Sequence, residues 1–288
     1  MRHAVVFPDQ SSWRPAAGRK WKTDPSWRMV EQAEAVLKRP IADSLLSEET
    51  PADVDLLHVS VLLTSLMNWE SVRGELGDPV AFAGHSLGQI TALVAAGPLD
   101  LSDAVELVSQ RARHLDDASR ANPGLSLGVT GRDGNDVGRM CEAVTDPCWV
   151  SYDNGSEVVV GGTASAIAEL ADHLDGDDTV GNVRPADEWA MHTPMMAVAA
   201  LAIRMELEEV DFATPRVPVI CAGSTQVVRD GTGWRQRLAL QVTKPVRWRE
   251  TMQRLAGMAD RVVADGSDLA EMSRASAPWI TVDEVVAR

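Results

Sequence analysis

The sequence predicts an α/β main body carrying a small inserted α+β subdomain of the ferredoxin-like kind, and three observations predict it. Short apolar runs alternate with helical patterns toward both ends of the 288-residue chain. The middle reads in the order β-α-β-β-α-β, the split-βαβ pattern. Between these regions, Gly84-His85-Ser86-Leu87-Gly88 joins an apolar run to an alanine-rich helical run, as a strand-to-helix elbow would.

The elements follow in order. Residues 3–7 form a strand stopped by Pro8-Asp9, and 11–28, with three tryptophans and two prolines, form a loop with short helical turns. Helical periodicity covers 29–38 and 53–72, the second with Leu56, Val59, Leu63 and Leu66 on one face. A strand at 79–83 enters Gly84, and a tightly packed helix then runs to Gly97-Pro98. A further helix spans 102–118. The inserted unit has strands at 125–129, 148–152, 157–160 and 179–183, with helices at 134–144 and 163–174. A long helix from Pro194, a strand at 217–221, helices at 233–240 and 245–257 and a final strand at 261–264 complete the main body. The expected partition is 1–120, 121–190 and 191–288.

Composition narrows the class of function. The chain is 45% hydrophobic and 24% charged, which fits a soluble globular protein rather than a disordered one. A net charge of −15 argues against nucleic acid, and no apolar stretch reaches the ~18 residues of a membrane span. The N-terminus enters a strand directly, unlike a signal peptide. Cys141, Cys148 and Cys221 make no metal-ligand spacing and suit a reducing, cytoplasmic setting as buried thiols.

Ser86 is the candidate nucleophile, because the elbow's glycines permit a tight turn and the helix N-terminus offers N–H groups to a developing oxyanion. A serine needs a base. His85 would point away from the elbow, and His3, His58, His114 and His173 fall within ordinary strand or helix patterns. His192 stands immediately before Thr193, a good N-cap, and Pro194, which suits a first helical position. The residues alone leave it open between a base and a packed loop histidine. Arg111 falls on the apolar stripe of its helix beside Ala104, Leu107, Val108 and Leu115. It is read either as an internal salt bridge, or a stem reaching solvent, or as a clamp for a substrate carboxylate.

Taken together, these segments resemble the malonyl-CoA:acyl carrier protein transacylase family and the acyltransferase domains of polyketide synthases. Phe7-Pro8-Asp9-Gln10-Ser11-Ser12 is similar to the family's F-P-G-Q-G-S, and residues 84–89 to its nucleophile motif. Gln110-Arg111-Ala112-Arg113 resembles the carboxylate-binding segment, and 153–162 a degraded N-x-P-x-Q-x-V-x-x-G. Met191-His192-Thr193-Pro194 is similar to S-H-S-P, and 241–248 to Q-L-x-x-P-V-R-W. The resemblance implies a hydrolase-like main domain and ping-pong acyl exchange between CoA or carrier thioesters through an acyl-Ser86, with His192 as base. It implies an oxyanion hole from the backbone N–H groups of Gln10 and Leu87, a clamp at Arg111, and Gln241 lining or bracing the pocket. It also implies that a backbone carbonyl within 220–222 orients His192. Acyl-CoA and the phosphopantetheinyl acyl carrier protein are then substrates and partners, with no tightly bound cofactor, no metal and no membrane; a monomer is an allowed state.

The chain departs from the pattern at Asp9 and Ser11, where the family has glycines, and at Trp189-Ala190-Met191, which matches neither the malonyl- nor the methylmalonyl-associated form. Trp189 and Met191 either narrow the acyl pocket or pack beneath it. These departures point to a specialised, discrete acyltransferase of polyketide or antibiotic biosynthesis. Arg235, Arg237, Lys244, Arg249 and Arg254 form a candidate docking face for an acidic carrier, while Arg247 is expected inside the fold. Competing readings are an editing hydrolase or transferase for an unusual or neutral acyl group, and a catalytically silent carrier-binding protein.

Overall fold

In the computed structural model of the protein, residues 1–175, 182–187 and 189–285 are described, 182–187 by their backbone. The chain runs β1 (His3–Phe7), three short 3-10 turns between Gln10 and Trp27, α1 (Arg28–Leu37), α2 (Ile41–Leu46), α3 (Val54–Leu76), β2 (Phe82–Gly84), α4 (Gly88–Ala96) and α5 (Leu101–Ala121). It continues through β3 (Leu125–Thr130), α6 (Gly134–Ala143), β4 (Cys148–Asp153), β5 (Glu157–Gly162), α7 (Ala164–Leu174) and β6 (Asn182–Asp187). A 3-10 turn (Pro194–Met196), α8 (Ala197–Glu206), β7 (Val219–Ile220), β8 (Val227–Val228), α9 (Trp234–Gln241), α10 (Trp248–Ala256), β9 (Arg261–Ala264), α11 (Ser267–Ser276) and β10 (Thr281–Glu284) follow.

The main sheet has the order β10-β9-β1-β2-β7-β8, parallel throughout except for β8. β1 lies inside it, and its residues are all buried because helices cover both faces. Alternation along the strand sends Val5 and Phe7 into one apolar core and Ala4 and Val6 into the other. α3 is buried well beyond its predicted stripe, with Val61, Leu62, Met67 and Trp69 also enclosed.

The second sheet is antiparallel, in the order β4-β5-β3-β6. That order is the one a β-α-β-β-α-β chain adopts when both crossovers are right-handed. Leu127, Val129, Val158 and Val160 pack with Val137, Ile167 and Leu170 of α6 and α7 in a separate small core. β4 is tied to the main body through a parallel bridge between Tyr152 and Val246, with hydrogen bonds Val246 N to Ser151 O (2.9 Å) and Asp153 N to Val246 O (3.0 Å).

Several expectations change. The strand expected at 179–183 runs instead from Asn182 to Asp187, and 179–181 lie outside the described residues. The long helix from Pro194 is a 3-10 turn followed by ten residues of α8. The strand at 261–264 is not the last: α11 and β10 follow, and β10 pairs with β9 at the sheet edge. β10 reads Thr-Val-Asp-Glu with one buried side chain, so it carries little of the apolar signal that marks an inner strand.

Candidate active site

The elbow is built by exclusion of side chains. A Cβ on Gly84 would lie 1.9 Å from the backbone carbon of Gly88, and one on Gly88 would lie 2.2 Å from Phe7 O. Only glycine fits either position. Between them Ser86 takes a left-handed φ of +46° and is fully buried. Such backbone costs a non-glycine residue about 1–3 kcal/mol and persists only where the surroundings enforce it.

His192 also has a left-handed backbone, at φ +58°. Thr193 follows it as the expected cap, accepting from Met195 N (3.3 Å) and donating to Ala190 O (2.7 Å). The imidazole reaches Ser86: Nε2 stands 2.8 Å from Ser86 Oγ, and Nδ1 stands 2.8 Å from Gln241 O. A carbonyl only accepts, so Nδ1 carries the hydrogen and Nε2 presents a lone pair to the Ser86 hydroxyl. Burial, reinforced by the charge of Arg111, pushes the His192 pKa down to about 3. The ring is therefore neutral at neutral pH.

The orienting carbonyl is thus Gln241 O, not one from 220–222. Those groups have other duties: Ile220 is paired within β7, and Ala222 accepts from Arg247 N (3.1 Å) and donates to Gln89 Oε1 (2.9 Å). Gln241 also donates from Nε2 to Ser86 O at 2.9 Å. It braces Ser86 and His192 together.

Arg111 projects from α5 into the same space, with Nη2 3.4 Å from Ser86 Oγ and only 2% of the residue exposed. Its Nε and Nη1 are buried without hydrogen-bond partners. Among the described residues no carboxylate pairs with it, so neither an internal salt bridge nor a stem reaching solvent describes it. Burial lowers its pKa to about 10 against the opposing influence of Tyr152 and Asp9, leaving it cationic at neutral pH. An unpaired buried guanidinium is costly unless something anionic arrives.

The Gln10 turn lies against the elbow, since His85 N donates to Phe7 O at 2.9 Å. Gln10 opens a 3-10 turn capped by Asp9, and Leu87 caps α4, where helix N–H groups lack intrahelical partners. Asp9 turns toward His85 Nδ1, 3.0 Å away. Met191 is buried in the main core and Trp189 packs against it, its carbonyl accepting from Ser126 Oγ at 2.6 Å.

The basic segment divides. Arg249 is partly buried, and its charge is paired with Asp153 (Nη2 2.9 Å, Nε 3.0 Å). Arg247, expected inside, is partly exposed and pairs with Glu250 of the helix it precedes. Arg237 and Lys244 line a cavity of about 110 Å³ together with Gln241, while Arg235 holds Val210 O (2.9 Å) and Asp211 (3.1 Å). Arg254 is exposed on α10. Sequence reasoning missed Asn154, whose Oδ1 stands 3.0 Å from His85 Nε2, and Tyr152, whose ring meets those of His85 and His192 at 5.3 and 5.0 Å. In the degraded motif at 153–162 the asparagine position is held by Asp153, and Asn154 falls one place later, so the motif carried no signal for it.

A family model for the acyl transferase domain matches residues 26–277. The chain belongs to that acyltransferase family. The malonyl CoA-acyl carrier protein transacylase of Escherichia coli O157:H7 is 27% identical over 267 residues, covering 88% of this chain and 84% of the relative. The acyl-carrier-protein S-malonyltransferase of Burkholderia pseudomallei 1710b superposes with a TM-score of 0.92 at 25% identity, over 100% of this chain and 97% of that one. The fold is shared too by a type II polyketide synthase malonyl-transacylase solved with its acyl-carrier protein (TM-score 0.90, 24% identity, 99% and 96% covered). Among the described residues of this acyltransferase, no group of His, Cys, Asp and Glu could hold a metal ion, and no helix is long and apolar enough to cross a membrane.

Proposed function

We propose that this acyltransferase moves a malonyl-type group from CoA or a carrier protein to an acyl carrier protein thiol through an acyl-Ser86 intermediate, in polyketide or related secondary metabolism in the cytoplasm. The observation that carries this reading is Arg111, a buried cation with two unpartnered nitrogens and the third 3.4 Å from the nucleophilic oxygen. The relatives' activities and their carrier partner support the same substrate class.

His192 Nε2 takes the Ser86 proton as Oγ bonds to the thioester carbon, and the oxyanion is held by the N–H groups of Gln10 and Leu87. The C–S bond then breaks, and the thiolate leaves with the proton from His192. A carrier thiol next gives its proton to the restored Nε2, attacks the acyl-serine, and Ser86 Oγ departs as the hydroxyl. The malonyl carboxylate pairs with the Arg111 fork, and Arg111 is one of the groups that hold the His192 pKa down. Its neutralisation by a bound carboxylate therefore makes His192 a stronger base. A neutral acyl group gives no such gain and leaves the guanidinium unpaired. Residues 121–190 form the inserted subdomain in this reading, and Arg235, Arg237, Lys244 and Arg254 remain the carrier-facing cations.

Intact-mass analysis after incubation with malonyl-CoA tests the proposal. The expected result is a malonyl adduct absent from Ser86→Ala and discharged onto an added holo-carrier. Release of free malonate without loading of any carrier would overturn it.

A further inference from the structure

Asp9 has no role in the chemistry above, yet its carboxylate lies against the residue that precedes Ser86. One oxygen, Oδ1, accepts from Ser11 N (3.0 Å) and Ser11 Oγ (2.5 Å), and the other lies 3.0 Å from His85 Nδ1. The Asp9 carbonyl accepts from Ser12 N (3.2 Å) and Ser12 Oγ (2.8 Å). Burial works to raise the Asp9 pKa, but the contacts with His85 and Ser11 outweigh it and hold it near 2. The group is a carboxylate at any pH where the enzyme works.

His85 is equally constrained. Its Nε2 stands 3.0 Å from Asn154 Oδ1, its ring stacks on Tyr152 at 5.3 Å, and Trp248 meets it edge-on at 5.4 Å. Asn154 is fixed in turn, its carbonyl accepting from Ser276 Oγ at 2.6 Å. A chain of contacts therefore runs from α11 through the β4–β5 turn and the residue preceding the nucleophile to Asp9.

The N–H assigned to the oxyanion belongs to the peptide plane between Asp9 and Gln10, so the ψ of Asp9 aims it. That angle is −174°, with φ −86°. We propose that Asp9 is a positioning residue for the transfer reaction: held by His85 and Ser11, it orients the Gln10 N–H toward the oxyanion. The inference rests on reading Gln10 as an oxyanion donor. Turning both carboxylate oxygens toward His85 and Ser11 also keeps their lone pairs off the developing negative charge.

Three variants test it, with acyl-enzyme formation from malonyl-CoA followed in single turnovers. Asp9→Asn keeps the cap, since asparagine caps as well as aspartate, but removes the carboxylate that faces His85 Nδ1. Asp9→Ser keeps the cap and loses the reach. Each is expected to slow acylation about 10–100-fold, with KM unchanged and circular dichroism matching the parent. Gln10→Pro deletes the N–H at the first position of a turn, where proline is accepted, and should cost about 10²–10³-fold. In the Gln10→Pro background, Asp9→Asn should add nothing, because the group it aims is gone. Parental rates in both Asp9 variants, or losses that multiply in the double variant, would overturn the positioning role while leaving the oxyanion reading intact. A folded Gln10→Pro protein that acylates at the parental rate overturns both.

Discussion

Arg111 and Arg113 sit two residues apart on α5 and lead opposite lives. Successive helical residues turn by about 100°, so the two side chains leave on nearly opposite sides. Arg113 is 48% exposed and grips Asp55 (Nη2 2.6 Å, Nε 3.0 Å), which Arg39 (2.7 Å) and Ser109 (2.9 Å) also hold. Arg111 has no such carboxylate among the described residues and is shut away from water. One cation serves the fold. The other is held at the fold's expense.

The sharpest way to break this contrast is to remove the buried cation. Arg111→Ala should lower kcat/KM for malonyl transfer about 10²–10³-fold, the equivalent of breaking a buried ion pair, while a neutral acyl-CoA is transferred as well as before or better. Equal losses on both donors would refute the clamp. Arg111→Met should raise stability by about 1–4 kcal/mol, read as a higher thermal midpoint.

Removing the carboxylate at the other end should do the reverse. Asp55→Asn should cost about 1–3 kcal/mol of stability, since it weakens several buried hydrogen bonds at once, with transfer rates unchanged. Arg113→Ala should cost at most about 1 kcal/mol, because that partner is half in water.

A further effect concerns acid. His58 and His192 are both pushed down to about 3, by burial first and by Arg111 second, whereas an unfolded histidine titrates near 6.5. Between roughly pH 6.5 and 3 the unfolded chain binds protons that the fold refuses, so stability falls as pH falls through that window. Asp265 opposes this: burial raises its pKa to about 6, so the fold binds a proton there before the unfolded chain does. Two groups outweigh one. The thermal midpoint should drop between pH 7 and 4.5, and His58→Leu should make the drop shallower.

How much of this was legible in the sequence follows the same division. Gly84, Ser86 and Gly88 announce the elbow because their need is steric and local. Arg111 announces itself as a cation on an apolar stripe, although the absence of an internal partner is a tertiary fact. The carbonyl that orients His192 could not be read, since every residue has one and only the docking of the α9 terminus selects that of Gln241. The pairing of Arg249 was hidden for a like reason: it looks free until β4 brings Asp153 against it. The partners of His85, Asp9 and Asn154, come from 76 positions earlier and 69 later, beyond the reach of any local pattern.

Gln241 holds Ser86 with its side chain and His192 with its backbone. Any jostling of the α9 terminus, by heat or by a partner settling on its cations, is therefore delivered to both groups in the same direction. Like a balanced pair of wires, the couple passes the shared displacement and rejects it from the difference. The gap between Ser86 Oγ and His192 Nε2 is the one distance the mounting protects.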